Sequence, residues 1–123
     1  MQISIETNSK IEDIQELFTT SYPFLKIEFY KLSTNTGLNK KEGLPLNMFL
    51  AQAINKELKA AIHITEATTI AELEDSFQDL GVKAEIFRRS GNVWVETSLT
   101  GNWTLSQQNL EGEDITRHYL AGK

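Results

Sequence analysis

Ile3 and Ile5 alternate with Ser4 and Glu6, and Ile62 and Ile64 with His63 and Thr65, the two-residue period of a half-buried strand. A helical stripe follows each pair, on Ile11, Ile14, Leu17 and Phe18 in the first place and on Ile70, Leu73, Phe77 and Leu80 in the second. Leu25, Ile27 and Phe29 then alternate with Lys26, Glu28 and Tyr30, as Val82, Ala84 and Ile86 do with Lys83, Glu85 and Phe87. The pattern predicts strand, helix, strand, twice over. Ser9-x-x-Glu12 and Thr69-x-x-Glu72 predict capping boxes at the helix starts, and Pro23 and Gly81 predict the helix ends.

Laid side by side, Ile5 falls on Ile64, Ile11 on Ile70, Ile14 on Leu73 and Phe18 on Phe77. Both second strands carry Lys-x-Glu, at Lys26 and Glu28 and at Lys83 and Glu85, which points to an internal repeat with halves at about residues 1–32 and 60–89. Residues 33–59 read as a loop, with a weak helical stripe on Met48, Phe49, Ala53 and Ile54. The run from Arg88 through Gly91-Asn92 to Val95 predicts a hairpin, and Thr104 a capped terminal helix that Gly112 weakens, within a C-terminal segment 90–123. The expected fold is one α+β domain over 1–123, a ferredoxin-like duplicated βαβ two-layer sandwich. Its antiparallel sheet would gain a C-terminal hairpin strand and a terminal helix. A doubly wound parallel sheet needs more strand–helix alternation than this length supplies.

Composition narrows function by exclusion. The 123 residues carry 12 basic and 17 acidic side chains, a net charge of −5, which disfavours a phosphate backbone as the main partner. With no cysteine there is no disulfide, thiolate nucleophile or Cys-ligated metal. Neither a secretory leader nor an apolar run of membrane-spanning length is present, so a cytoplasmic location without membrane contact is expected.

Strand alternation gives the sheet a face that the helices leave bare, bearing Tyr30, His63, Phe87, Arg89 and, through the hairpin, Trp94. Exposed aromatics among charges suit an association surface. Four occupants compete: the chain's own C-terminal segment with Trp103, Leu105, Leu110, Ile115 and Tyr119; a second copy or another protein; a small ligand or peptide; and single-stranded nucleic acid. The first two rank ahead, and nucleic acid comes last because no RNA-recognition signature occurs and Arg88-Arg89 is only a pair.

Candidate chemistry is thin. His63 could meet Glu85 or Tyr30 across the sheet, but it lacks a nucleophile to serve, so a hydrogen-bonded surface histidine is the better reading. His118 and Asp114, four apart with Glu111 nearby, form a solvated helix pair more readily than a metal site. The acidic groups Glu12-Asp13 and Glu72 fall in first helical turns, where they favour the helix dipole. No phosphate-binding or nucleophile-elbow motif occurs, so no catalytic residue, metal or cofactor is assigned.

The stretch from Ile86 to Thr97, followed by Trp103-Thr104-Leu105 and Gln107-Gln108-Asn109, resembles a small family of uncharacterised bacterial proteins. The likeness extends to Ile5-Glu6-Thr7 and to the segment from Tyr22 to Phe29, and is least over residues 33–59. That family has no established activity, so the resemblance implies no functional residue. The expected role is a non-enzymatic interaction or homodimerisation module using the sheet face or edge, with Tyr30, His63, Phe87, Arg89, Trp94 and Trp103 as candidate contacts. A small-molecule sensor domain is the alternative, and a cofactor-free enzyme using His63 comes third.

Overall fold

The structure, a computed structural model, describes residues 3–31, 42–54 and 61–122. The elements run β1 (Ile3–Ile5), α1 (Ile11–Ser21), β2 (Leu25–Lys31), α2 (Leu50–Ala53), β3 (Ile62–Ile64), α3 (Ile70–Gln78), β4 (Val82–Ser90), β5 (Val93–Glu96), a 3-10 turn (Ser98–Thr100) and α4 (Leu105–Ala121). The alternating apolar positions do turn inward: Ile3, Ile5, Leu25, Ile27, Phe29, Ile64, Val82, Ala84 and Ile86 are buried in one core. From α1 that core takes Ile11, Ile14 and Phe18, and from α3 it takes Ile70, Leu73 and Phe77.

Strand pairing departs from the ferredoxin-like expectation. That fold sets the first strands of both units side by side and antiparallel at the centre of one four-stranded sheet, with the second strands at its two edges. Here β1 and β3 do pair antiparallel, but in a two-stranded sheet of their own, while β2 and β4 pair directly with each other and, with β5, form a separate antiparallel sheet in the order β2-β4-β5. The register explains the difference. Ser4 pairs with His63 and Glu28 with Glu85, so each strand pairs with the strand at the matching place in the other half. The helix between β1 and β2 therefore carries the chain from one sheet to the other instead of returning it to the same sheet.

Helix starts show a second departure. Thr69 caps α3 as expected, its Oγ1 accepting from Glu72 N–H (3.1 Å) while Glu72 Oε1 accepts from Thr69 N–H (3.0 Å). The N-cap of α1 is Lys10, and no side chain caps it, so the expected Ser9–Glu12 box does not form. Backbone supplies the acceptors there: Ile11 N–H donates to Met48 O (2.8 Å) and Glu12 N–H to Leu46 O (2.9 Å).

The same arrangement occurs before α3, where Ile70 N–H donates to Trp103 O (3.1 Å) and Ala71 N–H to Gly101 O (2.9 Å). In return Leu50 N–H donates to Ser9 O and Leu105 N–H to Thr68 O, both at 2.8 Å. Isolated bridges Lys10–Phe49 and Thr69–Thr104 complete the matching frames. The two frames differ in the helix that follows: α4 has 17 residues and α2 has 4.

Helix α4 crosses the sheet on the side of the other long helices. Gln108 accepts from Arg88 (Nη1 to Oε1, 3.1 Å), Thr116 accepts from Gly91 N–H (3.2 Å), and Leu105 is fully buried. Gly112 is buried inside this helix, where a Cβ would stand 3.0 Å from both Arg88 Cγ and Phe24 Cβ. The helix continues through this glycine because close approach to the sheet requires it.

Candidate functional site

Residues alternating with Arg88 point away from α4. On that face Lys26 pairs with Phe87, and Phe87 in turn with Glu96, while Arg89 pairs with Trp94. The Lys26 ammonium lies 5.3 Å from the Phe87 ring centroid and 5.1 Å from that of Trp94. Held between two ring faces, a cation gains about 0.5–1 kcal/mol from each at an exposed site. Lys26 also reaches Glu28 Oε1 (3.6 Å), Lys83 reaches Glu85 Oε1 (4.0 Å), and Arg89 Nε donates to Gly91 O (3.0 Å). Trp94 remains 39% exposed and its neighbour Val93 51%, although both belong to the strand at the sheet edge.

The predicted contact residues thus separate into groups. Phe87, Arg89 and Trp94 share one end of the three-stranded sheet, with Lys26 as the member that alternation placed on this face without singling it out. Tyr30 pairs with Lys83 at the other end, about 13 Å along the strand at the usual rise per residue. His63 is exposed in the two-stranded sheet, with Nδ1 3.0 Å from Ser4 Oγ, whereas Glu85 and Tyr30 belong to the three-stranded sheet. Trp103 is half-buried before α4, where its carbonyl serves the first turn of α3. His118 lies 3.4 Å from Asp114 Oδ1 on the exposed side of α4.

The helix side of β4 carries a second polar feature. Beyond the end of β5, Ile86 N–H donates to Glu74 Oε2 (3.4 Å) and Ile86 O accepts from Thr97 Oγ1 (2.7 Å), so side chains close this stretch of strand edge. Gln15 acts similarly on β2, donating to Ile27 O (3.0 Å). A cavity of about 110 Å³ opens beside Glu74, Glu85 and Glu96. Burial raises the Glu74 carboxyl above its ordinary range, against the lowering effect of the Ile86 hydrogen bond and with nearby Glu85 raising it further. A raised acid holds its proton more tightly in the folded chain. Its stabilising contribution is therefore present below the unfolded value and is lost as pH rises through the folded one. Glu74→Gln, which keeps an acceptor for Ile86, is expected to be more stable than wild type at neutral pH. The advantage should vanish near the ordinary carboxyl value of about 4. Urea midpoints at the two pH values check this, and an equal gap at both contradicts it.

Among the described residues no group of three or more His, Asp or Glu is placed to hold a metal ion, and no helix is long and apolar enough to cross a membrane. No protein-family model, curated protein or solved structure matches the chain.

Proposed function

We propose that this protein is a non-enzymatic association module that pairs with a second copy of itself through the face of the β2–β4–β5 sheet turned away from the helices. The observation that carries this reading is the Lys26 ammonium lodged between Phe87 and Trp94 on that face. The same face carries, by strand alternation, three cations, Lys26, Lys83 and Arg89, and three anions, Glu28, Glu85 and Glu96. A surface balanced in charge, on a chain of net charge −5, suits a self-complementary two-fold contact better than a strongly charged partner. Aromatic centre and charged rim follow the usual anatomy of an interface. The matching hydrogen-bond frames further support reading the chain as two copies of one unit.

Light scattering coupled to size-exclusion chromatography tests the pairing. Wild type is expected to pass from dimer to monomer on dilution, and Trp94→Glu to weaken dimerisation at least 30-fold, the loss for a central aromatic contact. In a Trp103→Phe background the remaining Trp94 emission should shift to the blue on association. A wild-type chain that stays monomeric at every concentration, or a Trp94→Glu chain that dimerises normally, refutes the proposal.

A further inference from the structure

The two hydrogen-bond frames assign matching positions to the two halves, and what lies on them differs. In the second half the turn of α4 around Gly112 packs on Arg88 and Phe24, and Gln108 bonds Arg88. The ladder pairs Leu25 with Arg88 and, symmetrically, Lys31 with Val82, so the positions matching Arg88 and Phe24 are Lys31 and Gly81. The frame that matches Leu50 with Leu105 likewise sets Ala53 opposite in role to Gln108. Here α2 ends after Ala53, and Ile54 is extended (φ −81°, ψ 151°). Gly81 and Ala53 replace bulky side chains, and a cleft of about 270 Å³ lies between them, lined also by Tyr30, Lys31, Leu44, Met48, Gln52 and Val82.

We propose that this cleft is a binding site for a small aromatic carboxylic acid of one or two rings. Leu44, Met48 and Val82 supply an apolar wall, with the Tyr30 ring at the side. A cavity of about 150 Å³ is enough to admit benzene, so this one accommodates a fused pair of rings. The polar groups at the wall are donors. Gln52 Oε1 accepts from Phe49 N–H (3.0 Å), which leaves the Nε2 end of the same carboxamide to donate. Lys31 Nζ contacts Glu42 Oε1 at 3.3 Å with both side chains more than half exposed (56% and 69%), a pairing weak enough to yield to a carboxylate held at the cleft. Among the described residues no acidic side chain lines the cleft itself, so its donors select an anion and its apolar wall selects the ring.

Titration of the full chain with 1-naphthylacetate, followed by amide chemical shifts and calorimetry, tests the site. Saturable binding with shifts centred on Leu44, Met48 and Val82 is expected. Lys31→Gln should weaken the acid about three- to fivefold, the loss of one exposed ion contact, while leaving the neutral 1-naphthylacetamide unchanged. Ala53→Phe, which restores bulk at the end of α2, should abolish binding of both. Absence of saturation at millimolar probe overturns the proposal, as do shifts confined to the Phe87–Trp94 face. Equal loss of acid and amide in Lys31→Gln overturns the carboxylate assignment. If Ala53→Phe fails to fold, the Lys31→Gln comparison decides alone.

Discussion

Phe77→Ala is expected to cost about 3–5 kcal/mol, a large part of the roughly 5–15 kcal/mol that holds a domain of this size together. Phe77 is fully buried and meets Phe29 edge-on, ring centroids 4.9 Å apart at 71°. Its removal empties the point where α3, packed on β4, reaches Phe29 of β2, losing both the buried ring and an aromatic contact between the two. Urea denaturation should show a lower midpoint with an unchanged slope, and a melting temperature lowered by about 10–20 °C. Leu17→Ala provides the contrast. Leu17 belongs to the same kind of apolar stripe in α1, yet it is 45% exposed, and its truncation should cost about 0.5 kcal/mol or less. Equal losses at both positions would mean that the two helices bury different faces from those described.

That contrast shows how far the sequence can be read. Period and spacing identify which residues of an element turn inward, because burial acts on each side chain by itself. Ile11, Ile14, Phe18, Ile70, Leu73 and Phe77 were legible for this reason, as were the inward positions of β2 and β4. Leu17 sits at the rim of its stripe, where one residue more or less of apolar width does not alter the period. Strand partnership is a different matter. It is decided by backbone hydrogen bonds that any side chain can accompany, so nothing in Leu25–Lys31 announces β4 as its direct neighbour. A weak signal existed for the frame at α1: Leu44, Asn47, Leu50 and Gln52 recur with the same spacing as Leu99, Asn102, Leu105 and Gln107. Placed over residues read as a loop, that echo carries the segment that satisfies the first turn of α1.

The candidate surface divides along the same line. Alternation correctly set Lys26, Phe87, Arg89 and Trp94 on one side of β2, β4 and β5, since face follows from parity once the strands pair. It could not say that Phe87 would pair with Lys26 and leave Tyr30 opposite Lys83, beside the cleft, or that His63 would belong to another sheet. Nor could it say that α4 would pack on the Arg88 side, leaving Phe87 and Trp94 on the other. The first two depend on strand partners, and the third on Gly112.

Gly112→Leu is therefore expected to destabilise the protein, against the intrinsic preference of a helix. In an isolated helix, leucine at this position would gain about 0.5–1 kcal/mol over glycine. Here the first added carbon already meets Arg88 Cγ and Phe24 Cβ at 3.0 Å and Arg89 O at 3.2 Å, and three more carbons follow it. Forcing them in must lift α4 from the sheet or displace Phe24, whose N–H is tied to Asn109 Oδ1 (2.9 Å) on the same helix. Overpacking of this kind costs about 1–3 kcal/mol, enough to outweigh the helical gain. The Arg88–Gln108 and Gly91–Thr116 hydrogen bonds should loosen with it. Hydrogen exchange at Gly91 and Phe24, whose amides donate to α4, reads that loosening directly. Gly112→Ala offers an intermediate case, the crowding of a single methyl set against most of the helical gain. A Gly112→Leu chain that melts higher than wild type, with Gly91 and Phe24 still protected, would place α4 away from the sheet and remove the reason for leaving the Phe87–Trp94 face uncovered.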